Sequence, residues 1–149
     1  MDSIILSAYE PKTKIIDEKP HIYDCIRKNY FVLTPEEMVR QAFVNYLINH
    51  LGYPKALIAV ERELKIGAKL NRSDIRILDR AGECFMLIEC KSFKTKVNQQ
   101  TFDQAARYSK NLNADYLVVT NGVTTLCCHM DYGQESVSFL EQLPKYPDD

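Results

Sequence analysis

Met38, Val39, Ala42, Phe43, Tyr46 and Leu47 recur at spacings of three and four, which predicts a helix with one buried face. Thr34 is a good N-cap and Pro35 suits the first helical position. Leu51-Gly52-Tyr53-Pro54 supplies the stop. Three strand candidates follow: Ala56 to Leu64, Asp74 to Asp79 and Phe85 to Lys91. Arg80-Ala81-Gly82-Glu83 separates the last two and reads as a hairpin connection. A second amphipathic helix is predicted from Asn98 to Leu112, with Phe102, Ala105 and Ala106 inward. Tyr116 to Thr120 is a short buried strand, Asn121-Gly122 a tight-turn pair, and Thr124 to Met130 the returning strand. Residues 1–33 mix apolar pieces such as Ser3 to Ser7 with Pro11, Pro20 and charges, which predicts an arm of short strands. The order α-β-β-β-α-β-β gives an α/β (α+β) fold with a central mixed sheet flanked by helices.

Composition narrows this little. The 149 residues suit a single domain spanning 1–149, with residues 144–149 expected to form a flexible tail. Hydrophobic residues at 46% allow a substantial core. The net charge of -1 argues mildly against a strong non-specific nucleic-acid binder, but a local basic patch would suffice. Five cysteines, no signal peptide and no CxxC pair predict a reduced, cytoplasmic protein. Cys127, Cys128 and His129 are consecutive, so on a strand they point to alternate faces and make a poor zinc clip. No apolar run has transmembrane length, and no GxxxxGK[ST] loop is present, so neither a membrane nor a nucleotide cofactor is expected.

Candidate chemistry sits at the end of the strongest strand. Glu89 and Lys91 are two apart, so they share a face, with Phe85 and Leu87 further back on it, while Cys90 points the other way. Burial this close to a core is costly for either charge alone and less so for the pair. Asp74 begins the neighbouring strand, and paired strands lie roughly 5 Å apart. If the hairpin register brings Asp74 to Glu89, two carboxylates converge, and the Cys90 carbonyl adds a third oxygen. Such a hard-oxygen set suits Mg²⁺, with Mn²⁺ able to substitute. Lys91 would then orient a nucleophile or contact a scissile phosphate; as an ammonium it cannot act as a base. The bland alternative is a solvated charge pair at a strand end.

The stretch Ser73-Asp-Ile-Arg76 followed by Leu87-Ile-Glu-Cys-Lys91 resembles the PD-(D/E)XK nuclease signature. Leu33-Thr-Pro-Glu-Glu-Met-Val-Arg-Gln41, Phe102-Asp-Gln-Ala-Ala-Arg-Tyr108 and Tyr116-Leu-Val-Val-Thr-Asn-Gly122 extend the likeness. Together with the lead-in Ile22 to Lys28, they resemble the small family related to the N-terminal nuclease region of type I restriction enzyme R subunits. The resemblance covers about Ile22 to Asp131. It implies a restriction-endonuclease-like core, metal-binding acids at Asp74 and Glu89, and a catalytic lysine at Lys91. It also implies a Gln-x-x-x-Tyr motif at Gln104 and Tyr108, which share a helical face. An acidic residue in the first helix belongs to the pattern too, matched by Glu37 with Glu36 second. Ser73 stands where the motif's proline would be, and the helicase motor of a full restriction subunit is absent from this sequence.

Two of these roles have plain alternatives. Thr34-x-x-Glu37 is a capping box, in which Glu37 would bond back to the Thr34 amide. Tyr108 could simply pack, with Gln104 solvated. Arg72, Arg76 and Arg80 lie on the hairpin, and Lys94, Lys96 and Arg107 follow the metal motif. They form either a phosphate track or an ordinary charged surface. The leading expectation is a Mg²⁺-dependent endodeoxyribonuclease of a restriction-modification system, with DNA as substrate. A nuclease fold that binds nucleic acid or a partner protein without cutting is the second. A structural or regulatory protein that forms a homodimer through the sheet edge is the third.

Overall fold

A computed structural model describes the backbone of residues 4–66 and 69–148, and their side chains except those of residues 4, 61–66, 69–74 and 108–111. The chain begins with a short helix, α1 (Ile4–Ser7), where the sequence suggested a strand piece. An antiparallel three-stranded sheet follows: β1 (Thr13–Ile16), β2 (Lys19–Asp24) and β3 (Asn29–Val32). The expected arm of short strands is therefore a small sheet of its own. Helix α2 (Pro35–Asn49) comes next, capped by the Thr34 hydroxyl, which accepts from the Glu37 amide at 3.0 Å.

The main sheet has six strands in chain order: β4 (Ile58–Ile66), β5 (Lys69–Leu78), β6 (Cys84–Cys90), β7 (Tyr116–Thr120), β8 (Thr125–Asp131) and β9 (Ser136–Leu140). Helix α3 (Gln99–Leu112) joins β6 to β7, and this is the one parallel pairing; the other neighbours are antiparallel. A parallel neighbour requires a crossover of a dozen residues or more, which α3 provides. The sheet is mixed and flanked by helices, as its element order predicts. β9 was not anticipated: Val137 and Phe139 are exposed on this edge strand, and Phe139 reaches the Phe102 ring at 5.1 Å between centroids.

The core divides across the sheet. On one face Val39, Phe43 and Leu47 of α2 pack on Ile75, Ile77, Met86, Ile88 and Cys90. On the other, Phe102 and Ala105 of α3 pack on Leu87, Leu117 and Val119. Phe85, expected on the face of Leu87, joins the α2 side instead. The register of β5 against β6 shifts between Ile77 and Leu78, and a bulge of this kind re-aims the side chains beside it. Among the described residues, no helix is long and apolar enough to cross a membrane.

A buried charge network ties the small sheet to α2. Asp24 has no exposed surface, and its carboxylate accepts from the Ile26 and Arg27 amides at 2.8 and 3.0 Å, Arg27 Nε at 2.5 Å and Gln41 Nε2 at 2.9 Å. Arg27 Nη2 donates on to both Glu37 oxygens at 3.0 and 3.1 Å. Burial alone would raise the Asp24 pKa, but the bonds from Arg27, Gln41 and Ile26 outweigh it and hold the carboxyl below its ordinary value.

The segment from Pro144 onward, read from the sequence as a flexible tail, contacts this body. The Tyr53 hydroxyl donates to the Pro144 carbonyl, and the Tyr146 hydroxyl to the Leu78 carbonyl at 2.7 Å. The Tyr146 ring lies 5.4 Å from that of Tyr53 and 5.6 Å from that of Phe85.

Three stability predictions follow from these contacts. Arg27→Met leaves Asp24 and Glu37 without their shared cation, so urea unfolding at neutral pH should show a loss of about 3 kcal/mol. Because the Asp24 pKa is depressed on folding, its contribution is complete above the unfolded value of about 3.9 and fades as pH falls below it. Wild type should therefore lose stability below about pH 4 more steeply than Asp24→Asn does. Tyr146→Ala should cost about 1–2 kcal/mol by the same assay, since it removes a half-buried ring and one hydrogen bond.

Candidate active site

The parallel pair β6–β7 ends at Glu89–Val119 and Cys90–Thr120. Residues paired in this register share a face, and Leu87, Leu117 and Val119 all pack toward α3. Glu89 therefore emerges on the α3 side, immediately past the apolar part of β6. Lys91 lies just beyond the strand, its amide continuing the ladder to the Thr120 carbonyl at 2.8 Å. Lys91 Nζ meets Glu89 Oε1 at 3.2 Å, and the two side chains are 27% and 14% exposed. Glu89 is the one partly exposed residue of β6, whose other residues are buried. Cys90 points into the α2-side core, as the alternation requires.

Asp74 lies on β5. The β5–β6 register pairs Ile75 with Ile88, and one step outward from that pair lie Asp74 and Glu89. The backbone order thus agrees with the expected neighbourhood, while the Asp74 side chain lies outside the described residues. The same holds for Arg72 and Tyr108. Among the described residues, no three His, Cys, Asp or Glu side chains cluster as a metal site. Glu89 is the described carboxylate that fits a hard divalent cation: it is partly buried and stands at a strand end, and a complete oxygen set needs Asp74 beside it.

Helix α2 directs its first turn at the same edge. Glu36, Glu37 and Arg40 line an open cleft of about 590 Å³ with Phe31, Val32 and Ser92, the residue after Lys91. The Glu37 carboxylate does not close a capping box on the Thr34 amide. It is held by Arg27, by Gln41 Nε2 at 2.9 Å and by Arg40 Nη1 at 2.9 Å. Glu36 is paired with Arg40 Nη2 at 3.4 Å.

The other sequence candidates divide. Lys94 and Lys96 are exposed on the turn between Lys91 and α3, so they flank the edge. Gln104 and Arg107 are exposed on α3. Arg76 pairs with Leu87 in register and is half-buried, its Nε and Nη2 buried without a hydrogen-bond partner among the described residues. Burial pushes the Cys84 thiol up to about 11, and Arg76 is the largest influence opposing it.

Sequence reasoning missed Asp24, Arg27, Arg40 and Gln41 as one network, although all four lie in the segments that carried the resemblance. It also read Asn121 as a turn residue alone. The β7–β8 connection is four residues long, with Asn121 Oδ1 accepting from the Val123 and Thr124 amides at 2.9 and 2.7 Å. Gly122 takes a positive φ of 86° there, which few residues other than glycine tolerate.

Comparison with known proteins supplies the context. A search of the solved structures finds a fragment assigned as an HsdR subunit of a type I restriction enzyme from Vibrio vulnificus YJ016. It is 21% identical, with a TM-score of 0.47, and the match covers 68% of this chain and 22% of that one. This chain thus spans about a fifth of that protein's length. No curated protein matches. Residues 35–144, well over half of the chain, match the family described as type I restriction enzyme R protein N terminus (HSDR_N). The match runs from the first residue of α2 through all six strands of the main sheet, and on that extent the chain belongs to this family.

Proposed function

We propose that this chain is a metal-dependent nuclease domain that hydrolyses DNA phosphodiester bonds. The observation that carries the reading is the half-buried Glu89–Lys91 pair at the C-terminal end of the parallel β6–β7 pair, 3.2 Å apart. The crevice outside the carboxyl ends of parallel strands is where open α/β sheets bind ligands. Asp74 and Glu89 would hold Mg²⁺, with the Cys90 carbonyl as a further oxygen. When bound, the cation would supply Lewis-acid polarisation and lower the pKa of a bound water to give a nucleophile at neutral pH. Lys91, an ammonium with three donors, keeps one toward Glu89 and has others for a phosphate oxygen. Lys94 and Lys96 extend positive charge along the same turn, where a DNA backbone would run, and Gln104, Arg107 and Tyr108 on α3 would meet the strand beyond it. In the R protein of a type I restriction enzyme, this region would cut DNA that other parts of the assembly deliver.

The near-neutral net charge of -1 favours a second reading, a nuclease fold that binds DNA or a partner protein without cutting. One experiment separates the two. Supercoiled plasmid is incubated with wild type, Glu89→Ala and Lys91→Ala in Mg²⁺ or Mn²⁺. Wild type should cut, and each variant should lose about a hundredfold or more while keeping its circular dichroism spectrum. An inactive wild type, or a Lys91→Ala that cuts equally well, contradicts the nuclease reading.

A further inference from the structure

The turn that carries Lys91 is gripped from the β7–β8 connection at both ends. At the near end the Lys91 amide donates to the Thr120 carbonyl at 2.8 Å. At the far end Asn121 Nδ2 donates to the Thr95 carbonyl at 2.7 Å. Between them the chain closes on itself: the Thr95 amide donates to the Ser92 carbonyl at 2.9 Å, and the Lys94 amide to Ser92 Oγ at 3.1 Å. Asn121 is 7% exposed, so its amide group is largely shielded from bulk water.

The two ends of that amide do separate things. Oδ1 serves its own turn by accepting from Val123 and Thr124. An aspartate would serve there equally well, since Asp and Asn both build such turns. Nδ2 serves another segment of the chain, and only asparagine offers that donor. The residue is therefore specified by the bond to Thr95.

We propose that Asn121 is a positioning residue for the cleavage reaction. Its bond to Thr95 fixes the turn from Lys91 to Thr95, so that Lys91 stays beside Glu89 and Lys94 and Lys96 stay on the same edge. This inference rests on the nuclease reading above. Without the Nδ2 donor the Lys91 amide remains held by Thr120, but the far end of the turn is released and the lysines lose their common orientation. Misplacing a reacting group by about an ångström costs on the order of a hundredfold in rate. Metal affinity, which depends on carboxylates, should not follow.

The test compares wild type, Asn121→Asp and Asn121→Ala. Plasmid cleavage kinetics, Mn²⁺ titration and backbone amide hydrogen exchange are measured on each. Asn121→Asp should keep exchange protection at Val123 and Thr124, keep Mn²⁺ affinity and lose protection at Lys94 and Thr95. Its kcat should fall by about tenfold to a hundredfold with KM little changed. Asn121→Ala should lose protection in both turns. Full kcat in Asn121→Asp would overturn the proposal, as would a fall in kcat accompanied by loss of protection at Val123 and Thr124, which marks a merely structural role. A wild type that cuts nothing overturns the nuclease reading and this inference with it, and is distinct from an active wild type matched by Asn121→Asp.

Discussion

The parallel pairing of β6 with β7 is the constraint on which the site depends. Two consecutive strands run parallel only if a crossover lies between them, and α3 fills that role by burying Phe102 and Ala105 against Leu87, Leu117 and Val119. With α2 on the other face, β6 is covered on both sides, so Cys84 to Ile88 must be apolar. Charge is tolerated only where the cover ends. Glu89 and Lys91 occupy that point, and the same pairing delivers Thr120 and Asn121 to the turn beyond it. Core, charge pair and loop anchor are three consequences of one strand pairing.

A second constraint is electrostatic. Asp24, Arg27, Glu37 and Arg40 alternate in sign, and Gln41 bonds both acids. Buried charges are costly to desolvate, so such a set holds only when each member is paired and hydrogen-bonded. The network locks the small sheet to the first turn of α2, and thereby fixes one wall of the cleft that ends at Ser92. Glu37 lies in that wall, its carboxylate shared among two arginines and a glutamine.

Most of the fold was legible because its elements obey simple periods. The α2 stripe, the β5–β6 hairpin and the strand Tyr116 to Thr120 follow from spacing and caps alone. The face shared by Glu89 and Lys91 follows from strand alternation. Phe85 was misassigned because a register shift near Leu78 is invisible to alternation. β9 escaped notice because Ser136 to Leu140 is an exposed edge, and the tail after Pro144 looked polar although Tyr146 anchors it. Glu37 was read as a site acid or as a local cap, and its carboxylate bonds Arg27, Arg40 and Gln41 in place of the Thr34 amide. Asn121 was legible as a turn former, while its bond to Thr95 spans 26 positions and no local pattern announces it.

If Glu89 belongs to an oxygen site for a divalent cation at the end of β6, the ion should be visible there. A crystal structure of the protein soaked in Mn²⁺, read from the metal's anomalous signal, tests it most directly. A single ion should lie between the carboxylates of Asp74 and Glu89 and the carbonyl of Cys90. Mn²⁺ bound elsewhere, or Asp74 directed away from Glu89 with no ion between them, would contradict it.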